Sequence, residues 1–491
     1  MYNRAPRSYN TNKKKRKLRP GSYVFRTKLR GREKMSKNII KNKPEPAPGI
    51  LKRSDLFAIA VGGVIGSGMV TLIGPAMAYT GYSVWLAYLV AIIMGFFMVF
   101  PYIILGGTLR VAGGPYSVVT NLAGVSAGGL ITYSKLVMPI LNSSFALALG
   151  LYLNVLIPSV SAKTLAIAGT VILFVLNLMG VDIFAKVSKI MSTILLCTMV
   201  LYVIFGLTQI RQPIFDFSGA QMFTGGFKGF MLAALLLINS ANGYFGVIWY
   251  GKDAKNATKD VPVASMSCVP CLLFIYVGLA MVTGGILPHD EVAGAPTILP
   301  AAQAILPSAV YKLFLIGGPI MAIVTTQNGV FNDVRYPITQ AANDGWLPKK
   351  ILKTNRKGMP YLVYTYTLIV ILLPIICDMS IVTITNIFQV ISFFMNVTVV
   401  YAISQVPKKY PDAWKNNKFH LKTPMLYVFC GISILIYTTI FIKGILSVKP
   451  IYAASAVIIM VCLIVLGIYL SKRGGIQVET SVWPPKAEEE K

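Results

Sequence analysis

The chain has 491 residues, of which 55% are hydrophobic and 13% charged, and its mean hydropathy is +0.66. This composition is typical of a polytopic membrane protein and excludes an ordinary soluble domain. A net charge of +29 would suggest nucleic-acid binding in a soluble chain. Basic residues concentrated on the inner loops of a membrane protein explain it equally well. We therefore predict an all-α, multi-pass protein of the cell membrane with no nucleic-acid partner.

Residues 1–50 form a basic region that contains Lys13–Lys17 and few apolar side chains. Such a segment cannot build a core, so we predict that it is disordered and cytoplasmic. Because this long basic region precedes the first apolar run, we predict no cleavable signal peptide. One interpretation is that it binds anionic lipids of the inner leaflet. The other is that translation starts at Met35 and that residues 1–34 are untranslated or dispensable.

Twelve apolar runs are each long enough for a helix that crosses about 30 Å of hydrocarbon. With the N-terminus inside, most Lys and Arg residues fall on the inner side, so both termini are predicted to be cytoplasmic. The predicted spans are 55–80, 84–109, 126–154, 161–180, 189–208, 228–250, 262–287, 311–334, 361–377, 382–405, 425–443 and 451–470.

Two of these spans are interrupted by glycine and polar residues. Val61–Met69 places four glycines and a serine in span one, and Asn239–Gly246 has a similar character in span six. Non-helical backbone at membrane depth survives only where it is buried in protein or lines a cavity. Interruptions five spans apart indicate an inverted repeat with a binding site between its halves. The alternative is close helix packing through small residues.

Four different motifs occur in order along the chain, at Gly66–Gly68, Gly113–Tyr116, Asp253–Pro262 and Arg335–Pro360. With them the chain resembles the amino acid–polyamine–organocation (APC) transporters, in particular bacterial amino acid permeases. The resemblance implies alternating access and a LeuT-like 5+5 inverted repeat with broken helices one and six. Its ten-helix core corresponds to residues 51–405. Two further helices lie in 406–470, and 471–491 is a cytoplasmic tail.

A zwitterionic amino acid needs partners for two charges. The carboxylate is expected at amides that begin the second half of span one, where the helix dipole is positive. The ammonium is expected at the carbonyls of Val61–Val64 and Ser240–Ala241. Ala241 and Asn242 depart from the family pattern, and the small Ala241 is predicted to loosen the lid or widen the pocket. Phe245 joins the predicted pocket, whose other residues are Ile65, Gly66, Ser67, Gly68, Ser240, Ala241, Asn242, Gly243 and Tyr244.

Acidic residues fall near the predicted ends of the spans; Asp333, for example, lies at the inner end of span eight. Because a cationic substrate would lack an ionised partner at mid-membrane depth, we predict a neutral amino acid. Sodium is one candidate coupling ion, with Thr325, Thr326 and carbonyls near Gly62 as ligands. Lys135 in span three either carries a proton or extends its amine toward the inner surface.

The favoured function is a secondary active amino acid symporter coupled to H+ or Na+. Alternatives are an exchanger, a carrier of an amine or nucleobase, and a sensor that binds without transport. His289 and His420 fall in loops without a catalytic triad, and Cys268 and Cys271 are read as apolar packing. We therefore predict neither an enzyme nor a cofactor. The sequence gives no indication of the oligomeric state.

Overall fold

A computed structural model describes residues 40–41, 45, 47–419, 421–479 and 481–484. The predictions of disorder, lipid binding and an alternative start at Met35 fall on the N-terminal region, and residues 1–39 of it lie outside the described residues. The first half contains helices α1 Arg53–Val64, α2 Ser67–Thr71, α3 Ile73–Thr80, α4 Val84–Thr108, α5 Gly114–Ala123, α6 Val125–Val137, α7 Leu141–Leu156, α8 Ala162–Leu178, α9 Val181–Leu207 and α10 Gly226–Leu237.

The second half contains α11 Ala257–Leu272, α12 Gly278–Ile286, α13 His289–Val292, α14 Leu299–Ile305, α15 Ser308–Leu315, α16 Met321–Asn343, α17 Tyr361–Ile376, α18 Ile381–Ser404, α19 Val406–Lys409, α20 Pro411–Lys415, α21 Thr423–Leu446 and α22 Pro450–Arg473. Tight 3-10 turns occur at Gly81–Ser83, Met138–Ile140, Ile238–Ser240, Gly243–Tyr250 and Lys349–Leu352, and π turns at Leu273–Val277 and Ile316–Ile320. The described residues also contain four strands, β1 Ile40–Lys41, β2 Arg110–Val111, β3 Val478–Glu479 and β4 Val482–Trp483.

The helices have the length and surface of membrane spans. Within the described residues, nine helical stretches are long and apolar enough to cross a membrane, and α8, α10 and α17 are shorter apolar helices. Large apolar side chains face outward on them, including Leu201, Ile369 and Leu435, which are 59–68% exposed. Water would oppose such a surface, whereas lipid tails would not. The chain is therefore a multi-pass membrane protein.

The helices follow the predicted spans, with two differences at their ends. α9 begins at Val181, eight residues before the predicted start of span five. α16 continues to Asn343, nine residues beyond the predicted end of span eight. Hydropathy ends a span where polar residues begin, but α16 continues as a helix through Asp333, Arg335 and Tyr336. Asp333 consequently lies well inside a helix rather than at its end.

Both interrupted spans are broken as expected. The first break is Ile65–Gly66, between α1 and α2, where both residues have extended backbone. The second break is 238–242, between α10 and the 3-10 turns of Gly243–Tyr250. These 3-10 turns pack on α1, which also contacts α9, α11 and α16. The two breaks thus lie side by side in the interior.

Arg110 fastens the N-terminal segment to the helical body. Its guanidinium donates to the carbonyls of Ala47, Gly251 and Lys252 at 2.7–3.1 Å and to the Glu45 carboxylate at 3.0 Å. The Arg110 side chain is only 7% exposed. Burial of an arginine is tolerable because several oxygens share its five N–H groups.

The C-terminal segment is held at the same place. β4 pairs antiparallel with β2, and β3 pairs in parallel with β1. Ser481 accepts from the Ala112 N–H at 2.9 Å, and Gln477 N–H donates to Asp344 O at 2.9 Å. We call the side of the molecule that carries both segments the termini face.

We expect Arg110→Met to lower the free energy of unfolding by roughly 3 kcal/mol, because it leaves Glu45 and three carbonyls without a buried charged donor. Arg53→Met is the control, since Arg53 is half exposed where it pairs with Asp260 at 2.9 Å, and such pairs contribute at most about 1 kcal/mol. Thermal unfolding in detergent measures both. Equal losses in the two variants would contradict the assigned importance of Arg110.

Candidate functional site

A cavity of about 330 Å³ lies against the two helix breaks and extends toward the termini face, where Pro115 and Pro337 line it. We call it the central cavity. Most residues predicted for substrate or ion binding line it, namely Gly62, Gly66, Gly68, Ser240, Asn242, Gly243, Thr325, Thr326 and Lys135.

The first break opens backbone groups toward this cavity. Ile65 N–H still donates to Val61 O at 2.8 Å, which completes α1, and the chain then turns extended before α2 starts at Ser67. N–H groups in the first turn of a helix have no partner within it. Gly66 is required here because a Cβ atom would lie 2.6 Å from Thr326 Oγ1. The side chain of Ser67 lies outside the described part of the chain.

The hydroxyl of Tyr276 joins the two breaks. It lies in the π turn after α11, is fully buried, and approaches Val64 O to 2.7 Å and Ser240 O to 3.1 Å. Tyr88 supports it, because its ring packs edge-on against Tyr276 and its hydroxyl bonds to Ser240 Oγ at 2.8 Å. Sequence analysis missed both tyrosines, since nothing in an apolar span shows which carbonyl a hydroxyl will reach.

The backbones of the two breaks also touch directly. A Cβ atom on Gly243 would lie 2.5 Å from Gly63 O and 3.1 Å from Val64 Cα. Only a residue without a side chain permits this approach. The predicted pairing of the interruptions in spans one and six is therefore a physical contact.

Oxygen atoms cluster where α16 meets the first break. Thr326 Oγ1 lies 3.1 Å from Gly62 O, 3.4 Å from Ile65 O and 3.1 Å from Ala322 O. A hydroxyl has one proton and donates to one acceptor at a time, so Thr326 cannot satisfy the three carbonyls together. Thr325 instead donates to carbonyls of its own helix at 2.8 and 3.0 Å.

Three of the predicted substrate residues do not line the cavity. Ile65, Ala241 and Tyr244 are fully buried in packing contacts. Ala241 lies against α4, where a Cβ atom on Gly95 would meet Ala241 O at 3.0 Å and Ala241 Cβ at 3.6 Å. The small Ala241 side chain therefore packs against a neighbouring helix and does not widen the pocket. Helical periodicity could not show this, because the second break is not α-helical.

An ion pair lies on the cavity wall. Lys135 Nζ on α6 donates to Asp333 Oδ2 on α16 at 2.7 Å, and both residues line the cavity. The Lys135 side chain is 5% exposed and that of Asp333 45%. The sequence singled out Lys135 but missed its partner, because span eight was predicted to end at residue 334.

A further wall of the cavity was not anticipated residue by residue. It is contributed by α18, α4 and α21, and Tyr102 Oη of α4 approaches Asn396 Oδ1 of α18 to 3.4 Å. The Tyr102 ring packs on Phe245, 5.1 Å between centroids. A polar stripe at helical spacing along α18 was the available signal, and its cavity-lining members are Thr385, Ser392 and Asn396.

Apolar helices around a cavity built on two broken helices define a membrane transport protein. A family model described as amino acid permease matches residues 51–484, so the chain belongs to the amino acid permease family and is a transporter rather than an enzyme.

Curated relatives agree with this family. The chain is 27% identical over 327 residues to a probable threonine/serine transporter of Bacillus subtilis, covering 62% of this chain and 68% of the relative. It is 24% identical over 342 residues to an uncharacterised amino acid permease of the same organism, covering 65% and 74%. A general amino acid permease of Saccharomyces cerevisiae is 24% identical over 203 residues, or 38% of this chain and 36% of that protein.

We predict that Gly243→Ala destabilises the protein by roughly 2 kcal/mol or more, because its methyl group would overlap a backbone oxygen that cannot move freely. Gly246→Ala is the matched control, since nothing lies within 4 Å of a Cβ atom there. The thermal unfolding midpoint in detergent should fall for the first variant and stay unchanged for the second. A similar midpoint for both would refute the close contact between the breaks.

Proposed function

We propose that this permease is a secondary active transporter that moves a neutral amino acid by alternating access, with the central cavity as its binding site. The observation that carries the proposal is the pair of helix breaks in contact beside a cavity at membrane depth. Broken helices in contact at membrane depth are typical of transporter substrate sites, where half-helix ends bind anionic groups and unwound carbonyls bind cations.

The proposed binding mode divides the substrate between the breaks. The carboxylate lies at the amide of Gly66, which precedes α2, and at that of Gly68 in its first turn, and the ammonium lies at carbonyls near Gly63 and Ser240. Each bonded carbonyl oxygen retains a second lone pair for an ammonium hydrogen. Asn242 and Phe245, which line the cavity, contact the side chain of the amino acid.

We extend the proposal to the architecture. The nine long stretches and three shorter apolar helices correspond to twelve spans. Ten of these spans form a LeuT-like 5+5 inverted repeat, and the last two follow it. Both terminal segments lie on one face, and most basic residues belong to the loops predicted for the cytoplasmic side. This supports cytoplasmic termini in the cell membrane.

A cation is the proposed driving ion, with Na+ as the first candidate. The carbonyls of Gly62 and Ile65, together with the Thr326 hydroxyl that lies between them, form a set of hard oxygen ligands, which suits such an ion. H+ is the second candidate, carried near Lys135. Exchange of one amino acid for another without net ion movement is the alternative mechanism.

We expect proteoliposomes that contain the protein to take up labelled neutral amino acids from a panel of Thr, Ser, Ala, Leu and Phe. Gly329→Leu should lower the uptake at least about tenfold, because its side chain enters open space in the cavity and displaces the substrate. Gly431→Leu is the control, since it enters equally open space on α21 away from the cavity. Normal uptake by Gly329→Leu would contradict the site.

Replacement of Thr326 by Val keeps the shape of the side chain and removes its oxygen. If Na+ binds at this cluster, wild-type uptake requires Na+ and Thr326→Val raises the Na+ concentration for half-maximal uptake by roughly tenfold. Thr325→Val, whose hydroxyl is already bonded within α16, should change it less. Uptake that does not depend on Na+ but stops when the pH gradient collapses would contradict Na+ as the coupling ion and indicate H+ instead.

A further inference from the structure

The ion pair of Lys135 and Asp333 has a feature that simple helix stabilisation does not explain. Both residues line the central cavity, and the carboxylate is 45% exposed although it lies in the interior of α16. Another pair that joins two helices, Lys189 with Asp55, is also partly exposed, but neither of its residues lines the cavity. In the pair of Lys135 and Asp333, one partner is held in a buried position while the other faces the space through which a solute moves.

The pair lies between the helix breaks and the termini face. Asp333 follows Thr326 by seven residues, or about 10 Å along the helix axis. α16 ends at Asn343, and the next residue, Asp344, accepts a bond from Gln477 in the C-terminal segment. The cavity continues past Asp333 to Pro337. A solute that travels between the breaks and the termini face therefore passes this pair.

Within the described part of the chain, both side chains retain unused bonding capacity. Lys135 has three donors and the carboxylate about four acceptor positions, whereas the direct bond uses one of each. The surrounding charges are already engaged. Arg335 lies over the Tyr336 ring at 4.5 Å, and the Tyr336 hydroxyl donates to Asp253 at 3.2 Å. α6 packs directly on α16, so the two charges keep a fixed separation.

We propose that Lys135 and Asp333 form a second, weaker binding site for the zwitterionic group of an amino acid, on its path between the helix breaks and the termini face. This rests on the proposed function. The substrate ammonium binds Asp333 and the substrate carboxylate binds Lys135. While the substrate is bound, each charge of the ion pair and of the substrate has an opposite charge beside it. The free-energy cost of removing these charges from water therefore stays low. A solute with a single charge leaves one member of the pair without a partner and is disfavoured.

The test separates equilibrium binding at the breaks from the rate of passage. Binding of the best-transported amino acid of the panel is measured in detergent, and its counterflow exchange is measured in proteoliposomes. We expect the neutral pair Lys135→Met with Asp333→Asn to change the Kd less than about twofold and to slow exchange roughly tenfold or more. Each single substitution should slow exchange further, because it leaves an unpaired charge on the cavity wall.

The matched control is Lys163→Met with Asp378→Asn. This pair has the same chemistry and a distance of 2.6 Å, but neither residue lines the cavity. Its removal should leave both Kd and exchange unchanged. Wild-type exchange in the neutral Lys135–Asp333 variant would overturn the proposal. Equal losses of affinity and exchange rate would also overturn it, since they would mean that the pair belongs to the main binding site or only stabilises the fold.

A charge-reversed variant covers the case in which the neutral pair does not fold. Lys135→Asp with Asp333→Lys keeps both charges, and a zwitterion can bind it in the opposite orientation. We expect exchange within about threefold of wild type, and loss of exchange in a monodisperse protein would refute the second site. If the wild-type protein itself exchanges no amino acid, the proposed function fails instead, which is a distinct result.

Discussion

The hydroxyl of Tyr276, 2.7 Å from Val64 O and 3.1 Å from Ser240 O, bonds to carbonyls that two broken helices no longer use. In hydrocarbon an unpaired backbone group costs several kcal/mol, so a break at membrane depth needs such a partner. The single hydroxyl proton of this fully buried side chain is shared between the two carbonyls, and this shared bond holds the two breaks together. The contact of Gly243 with Gly63 and the position of the cavity beside them depend on this arrangement.

At the first break the carbonyl and amide groups differ in whether they have hydrogen-bond partners, and this difference gives the candidate site its character. Carbonyls at the end of α1 receive hydroxyl donors from Tyr276 and Thr326, whereas the first amides of α2 have no partner within their helix. The donors stabilise the unwound chain, and the open amides with their helix dipole favour an anion. In the proposed binding mode, a substrate carboxylate completes the hydrogen bonding of the first break. This links the structural constraint to the chemistry expected of an amino acid permease.

The sequence was sufficient to predict features that depend on periodicity and on helix breaks. It was insufficient to predict which way a side chain points in the folded protein. Apolar length located the spans, and the glycines of spans one and six located two breaks that do meet. Ala241 and Tyr244 were placed in the pocket because they lie in a break, yet a non-α turn points them into packing contacts. The hydroxyl partner of Val64 is 212 residues away along the chain, so only the folded arrangement reveals Tyr276.

Asp333 alters the premise for a neutral substrate but supports the same conclusion. The prediction assumed that acids lie only at the ends of spans, whereas this carboxylate lies on the cavity wall. Lys135 compensates its charge at 2.7 Å. A cationic substrate that captured Asp333 would leave the Lys135 ammonium, 5% exposed, without its partner, and isolating a buried charge costs roughly 3 kcal/mol. In the proposed second site a zwitterion supplies a replacement for each partner, so the proposal predicts a preference for substrates without net charge.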